Sequence, residues 1–415
     1  MAIRKRKNFN LQLLLTRLSN VRTLNADGSM SISGFGVLDD YESYLRTAVI
    51  ANGKSDAFMR EVVSKAIRQE QNLTEDSFVK HCNRIANRME QMDRKSYKVL
   101  FPVWGSRGLI SGRRKWGDVS VSFDISQATP FARRASKDRA EQLRKRDNNT
   151  SKVMHDLQDL PLASCSVDAV SVHDAFEKAE EAISKEIGLY SLISSRGKFV
   201  MTSEPDKPIN TILLAPHMTV HDASGAISAD IYWYNRWADH LTEKTRKPED
   251  VARIKQQVKS VRLRLRKLPW REKAELALAR HYAAFAQCDL ESSFLDGWRL
   301  LEAIGGHSRE KGEALVKRAA WFFENRDEQY QIGLHLMHRR NLISHGRPMK
   351  EDNHEGLAFQ MKQFVTPFLH AYLTNPFKFQ DLEEFWGFCD LPVDKHQRSR
   401  KAYVLECSTK FRQES

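Results

Sequence analysis

Apolar residues recur along this chain at two spacings, and the places where one gives way to the other divide it. Up to about residue 95 the period is helical. Asn10 to Leu18, Tyr41 to Ile50, Asp56 to Gln69 and Glu75 to Gln91 each carry apolar positions three and four apart between polar loops. Asp27 to Gly34 interrupts them as a loop or a short strand pair. From 96 to about 245 the pieces are shorter and favour strands, at Lys98 to Val103 and Val119 to Ile125 among Gly105, Gly108, Gly112 and Gly117. A basic segment, Arg133 to Arg146, leads into a loop at Asp147 to Ser151. A helix over Ala169 to Ile187 follows, then strands near Lys198 to Thr202, Asn210 to Leu214 and Ile227 to Tyr234.

From 246 to about 375 the helical period takes over again. Pro248, Glu249 and Asp250 suit a first helical turn, and Val251, Ile254, Val258, Val261, Leu265 and Leu268 then alternate steps of three and four. Phe294, Trp298 and Leu301 line a second helix, and Leu315 and Phe322 a third. Leu357, Met361, Phe364, Phe368 and Tyr372 line a long last one with a kink at Pro367. The tail, 376–415, is read as an aromatic helix around Phe385, Trp386 and Phe388 and a short strand around Tyr403. The predicted class is therefore α+β overall: a helical region (1–95), an α+β region (96–245), an all-α bundle (246–375) and a tail.

Composition narrows the partners. A formal charge of +13 favours a polyanion, because clustered Lys and Arg displace counterions from phosphate backbones. The five cysteines lie far apart with no zinc-like spacing, which fits a reducing cytoplasm. Arg4 to Lys7 precede an apolar stretch, Leu11 to Leu15, too short for a secretion signal, and no segment approaches the ~20 apolar residues of a membrane span. No membrane partner is expected.

Candidate chemistry concentrates in Glu328 to His345. Drawn as a helix, this segment places Leu334, His338 and Asn341 within about 40 degrees of His345. Leu336 and Ile343 lie opposite, and Met337 and Leu342 flank the strip, so the helix reads as apolar on both sides of a polar seam. A hydrogen-bonded seam in a core or a dimer contact is one reading. The other starts from Gly346 and Pro348, which end the helix and leave His345 at the negative end of its dipole, one turn beyond Arg339 and Arg340. An imidazole near guanidinium groups is what metal-independent RNA cleavage needs, since the substrate's 2′-hydroxyl is the nucleophile and the protein only moves protons and stabilises a phosphorane. Arg340 lies about 140 degrees from His345 on a straight helix, which argues for a composite site in a symmetric dimer.

The run Arg340-Asn341-Leu342-Ile343-Ser344-His345 resembles the R-N-x-x-x-H motif of the HEPN superfamily, and Trp298 to Glu302 resembles the W-x-x-x-E stretch of its Apea-like branch. The similarity covers Ala274 to Leu373. The resemblance implies a dimerising helical bundle that cuts RNA without metal or cofactor, in many members as a toxin or antiphage defence effector and in others as an inactive scaffold. It makes Arg340 and His345 catalytic, Asn341 an orienting group, and Glu302 a support for Arg340 or His345. Arg339, read as RNA-binding, and His338 either line the cleft or lie exposed on the surface.

Other features add to this. Val251 to Arg271 holds Arg262, Arg264, Arg266 and Lys267 among its cations and no acidic residue, so its basic face is read as RNA-binding. Arg113 to Lys115 and Arg133 to Arg146 extend that track, with Trp116 stacking on a base or packed in a core. Pro216 to Asp222, with His217 and His221, is read as a hairpin rather than a metal site. The N-terminal region is given a regulatory role, sensing a phage or other trigger. A DNA-binding regulator using the basic helix is the more distant alternative.

Overall fold

The structure, a computed structural model, describes residues 3–25, 30–34, 37–51, 56–91, 94–123, 129–146, 160–194, 207–233, 246–306, 312–345 and 353–411. Four helices open the chain: α1 (Leu11–Val21), α2 (Val37–Ala48), α3 (Asp56–Gln69) and α4 (Glu75–Gln91). Asn10 caps α1 by accepting from the Leu13 amide. Leu11, Leu15 and Leu18, spaced along one face, are fully buried with Val62, Ile67 and Phe78 in a core of residues 3–89. Short antiparallel ladders, β1 (Arg4–Lys5) with β4 (Val49–Ile50) and β2 (Arg22–Leu24) with β3 (Met30–Ile32), tie the loops between these helices.

A seven-stranded antiparallel sheet follows. Its strands are β5 (Lys95–Trp104), β6 (Arg113–Trp116), β7 (Val119–Ser122), β8 (Leu162–Ala169), β9 (Leu213–Leu214), β10 (Met218–His221) and β11 (Ile227–Trp233). The order is β11-β10-β5-β8-β7-β6, with β9 pairing the end of β5. The long strand β5 is its spine, in register with β8 from Lys95↔Ala169 to Pro102↔Leu162. The basic run 133–146 belongs to a helix, α5 (Pro130–Arg146), and part of that helix packs on the β10–β11 hairpin. There Arg134 donates to the Ser224 hydroxyl and Asp138 accepts from the Ile227 amide.

Helix α6 (Val172–Ile193), capped by Ser171, lies between this sheet and the remaining helices and is buried along most of its length. The helices that follow are α7 (Pro248–Leu265), α8 (Arg271–Phe285), α9 (Leu290–Gly305), α10 (Gly312–Ala320), α11 (Arg326–Ser344), α12 (His354–Thr374), α13 (Leu382–Cys389) and α14 (Lys395–Phe411). Gly188 of α6 lets α8 come close: a Cβ there would stand 2.2 Å from the Leu278 carbonyl oxygen. Asn210 adds a polar tie, accepting from Lys362 Nζ of α12 at 2.8 Å and donating to the Tyr282 carbonyl of α8.

One hydrophobic core consequently runs from Tyr97 to Cys389, and the sequence boundary near residue 245 passes through it. The change of period there marks a change of element type, not of core. One other expectation is corrected. The tail around Tyr403 is helical, in α14, which buries no residue, so no sheet is at hand to pair a strand. Of the two readings of Trp116 the core one holds: it is buried and donates its indole N–H to Glu186 at 3.0 Å. The loop at Asp147 to Ser151, the strand near Lys198 to Thr202, and Gly346 and Pro348 lie outside the described residues. No helix among the described residues is long and apolar enough to cross a membrane.

Candidate functional site

Helix α11 carries most of the candidate chemistry, and its seat is set by small and apolar positions. Gly333, Leu336 and Ile343 are its buried residues. At Gly333 a Cβ would meet Val316 of α10 at 2.4 Å and Phe364 of α12 at 2.6 Å, so only glycine permits this approach. Asp327 and Glu328 stand in the first turn, where their charge complements the helix dipole.

The polar strip faces outward. His338, Asn341 and His345 are exposed and, with Leu342, line an open hollow of about 400 Å³. This differs from the seam expected between two apolar flanks, because within one chain α11 is covered on one side only, by α9, α10 and α12. His345 closes the helix: its amide donates to the Asn341 carbonyl at 3.1 Å. His335, which the motif passes over, stands beside the strip. Burial lowers its imidazole's affinity for a proton, and Arg339 and His338 lower it further. Its place three residues before His338 was the available signal.

Arg340 turns the other way, towards α9. Its Nη2 lies 3.0 Å from Glu302 Oε1, its Nη1 donates to Asn341 Oδ1 at 3.1 Å, and its guanidinium stands 5.9 Å from the Trp298 ring centre. The same Glu302 oxygen accepts from Trp298 Nε1 at 2.8 Å. Trp298 and Glu302 are four residues apart on α9, and Trp298 is buried, so a fixed indole aims the carboxylate that in turn aims the guanidinium. The ion pair is more than a third exposed on both sides, and its effect is direction more than stability.

The structure therefore brings Arg340, Asn341 and Glu302 together with Trp298, and separately groups Asn341, His338 and His345 around the hollow. Asn341 is common to both groups. Arg339 is half-buried beside them.

The four basic residues taken from the long helix separate. Arg262 Nη2 is held at 2.6 Å by Glu186, whose side chain is only 1 % exposed, and Arg262 and Arg266 line a cleft against β6. Arg264 and Lys267 are exposed outside that cleft, and Arg264 adds to the burial that lowers the His370 imidazole of α12. None of the four lines the hollow by His345.

His217 and His221 belong to the hairpin interior. His221 Nδ1 lies 2.9 Å from the Gly225 carbonyl and its Nε2 2.8 Å from the Thr219 hydroxyl, while His217 Nε2 lies 3.1 Å from Gln142 of α5. Burial pushes the His221 imidazole down to about 4. No cluster of three metal-ligating side chains occurs among the described residues.

No protein-family model, curated protein or solved structure matches the chain.

Proposed function

We propose that the protein is an endoribonuclease of the HEPN type that acts as a homodimer and cleaves RNA through attack by the substrate's own 2′-hydroxyl. The observation that carries this reading is the contact between Arg340 and Glu302. These residues are 38 positions apart and on different helices, and the resemblance named both; they meet at 3.0 Å, with Asn341 alongside. The upstream W-x-x-x-E stretch meeting the arginine of the motif supports the reading over a chance six-residue match.

In this mechanism Arg340 binds the scissile phosphate and offsets the charge that builds on its equatorial oxygens. His345 takes the proton from the 2′-hydroxyl as O2′ bonds to phosphorus, and an imidazolium returns a proton to O5′ as the P–O5′ bond breaks. The products are a 2′,3′-cyclic phosphate and a 5′-hydroxyl. Because Arg340 and His345 diverge on one helix, the twin chain's α11 completes the arrangement across the open hollow, in the way an isologous contact repeats one patch on both partners.

The test is cleavage of RNA by the purified chain in EDTA, with RNA ends identified, beside His345→Ala and Arg340→Ala. Each substitution is expected to lower the rate by roughly 10²-fold or more, with circular dichroism unchanged. In bacterial cells the wild type should arrest growth and the variants should not, as a toxin or defence effector would. Equal cleavage by all three proteins ends the proposal.

A second reading, an inactive HEPN dimer serving as a nucleic-acid-binding scaffold, draws on one observation: Arg340 is already engaged by Glu302 and Asn341. A scaffold would dimerise and bind identically with or without His345→Ala.

A further inference from the structure

A second concentration of positive charge lies away from α11. Strand β6, at the edge of the sheet, and helix α7 face each other across a cleft of about 500 Å³. Arg113, Arg114 and Lys115 come from the strand and Lys255, Lys259 and Arg266 from the helix. The helical three are four and seven residues apart, which keeps them on one face, offset by one position from the buried Ile254, Val258 and Leu265. Residues some 140 positions apart in the chain thus converge on one concave space. The single-sign run of α7 is therefore more than a solvated face.

The floor of the cleft is built. Glu186 is buried on α6, accepts from Trp116 Nε1 through one oxygen and holds Arg262 through the other. Glu275, the only carboxylate in the lining, is held by Arg271. These two guanidiniums are thereby fixed and neutralised. Lys115, Lys255, Lys259 and Arg266 form no ion pair with a carboxylate among the described residues. Cations gathered in a concavity repel one another unless an anion joins them.

Size and surroundings favour a small anion over a running polynucleotide. The volume falls within the roughly 300–1,000 Å³ of small-molecule sites. On the far side of β6 the next hollow is lined by Arg113, Arg114 and Lys115 again, now with Asp118 and Asp168, whose carboxylates offset part of that charge. Helix α7 packs on α6 and α12, whereas α11 packs on α9, α10 and α12, so α12 separates the cleft from Arg340. Leu263, 52 % exposed on the rim, supplies an apolar surface beside the cations.

The geometry points to a binding site for a multiply phosphorylated nucleotide, its phosphates between β6 and α7 and its base against Leu263. The site is separate from the α11 hollow, and it stands or falls independently of whether Arg340 and His345 cut RNA.

Calorimetric titration of the full chain tests it, with adenosine triphosphate, tripolyphosphate, adenosine and a short single-stranded RNA as probes. Adenosine triphosphate should bind saturably at one site per chain, tripolyphosphate more weakly, and adenosine not measurably. The double variant Lys255→Glu/Lys259→Glu should weaken nucleotide binding at least about tenfold. Arg264→Ala/Lys267→Ala, which removes charge from outside the cleft, should leave it within about twofold. Both variants change exposed residues, and circular dichroism verifies their fold. Absence of saturable nucleotide binding, equal weakening by the two variants, equal affinity for tripolyphosphate, or displacement of the bound nucleotide by the RNA at a lower concentration than the nucleotide itself needs, overturns the assignment.

Discussion

The two basic surfaces of this molecule handle charge in opposite ways. At the end of α11 one guanidinium is held by a carboxylate, an amide and an indole, and is aimed. In the β6–α7 cleft at least four cations stand without carboxylate partners among the described residues, and together they make a field rather than a direction. An aimed group suits chemistry at one atom, because a catalytic contact must be held to a fraction of an ångström. A field suits capture, because attraction between exposed charges is long-ranged and tolerant of geometry. That contrast separates the proposed catalytic site from the proposed nucleotide site more clearly than sequence position does.

The comparison is meaningful only where the sheet that carries β6 is intact, and acidity is the largest perturbation of that. His221 has a folded value near 4 against about 6.5 when unfolded, so the unfolded chain binds more protons below about 6.5. Its stabilising contribution is fully present above that pH and is lost as pH falls towards 4, by up to ~3 kcal/mol. Buried His281, whose imidazole is also lowered, acts in the same direction. Urea unfolding at pH 7 and pH 5 should show the fall, and His221→Gln should make it shallower; an unchanged midpoint would refute the burial argument.

Gly333→Ala attacks one surface alone. Its Cβ would push α11 off Val316 and Phe364 at a cost of about 2 kcal/mol, more than the roughly 1 kcal/mol that alanine adds to a helix. RNA cleavage should drop while nucleotide affinity holds, and a parallel loss of both would mean the surfaces are coupled. Glu302→Gln is gentler: it keeps shape but removes the charge that aims Arg340, and is expected to slow cleavage about tenfold, an effect of about 1.4 kcal/mol. A faster variant would instead show that Glu302 restrains the arginine. The smallest effect is that of salt. Doubling it should weaken nucleotide binding about threefold through counterion release while changing the rate of bound-substrate cleavage little.

Much of the helical frame was legible from spacing. Five of the six apolar positions of the α7 stripe, and all of Leu357, Met361, Phe364, Phe368 and Tyr372 on α12, are buried, because a helix that packs on a core declares its inner face every three or four residues. Periodicity failed at α11, whose apolar residues spread around the axis, so that only contacts with α10 and α12 decide which side is inside. It failed again at Tyr403-Val404-Leu405, where strand-favouring side chains sit in a helix that packs on nothing that could pair them. At Trp116 the basic neighbours left base stacking and core packing both open, and the alternation of exposed and covered positions from Arg113 to Trp116 decides for the core. The pairing of Arg340 with Glu302 was legible only as one of two options for Glu302. The facing of β6 and α7 was not legible at all, since no local pattern records which distant strand a helix lies against.

Helix α6 gives these arrangements a mechanical meaning. Glu186, which seats Arg262 at the bottom of the cleft, is two residues from Gly188, where the backbone of α8 presses against α6. The seat of Arg262 and the joint between the layers therefore occupy a single turn. A substitution that shifted Arg262 would thus disturb first the one turn of α6 on which α8 is seated.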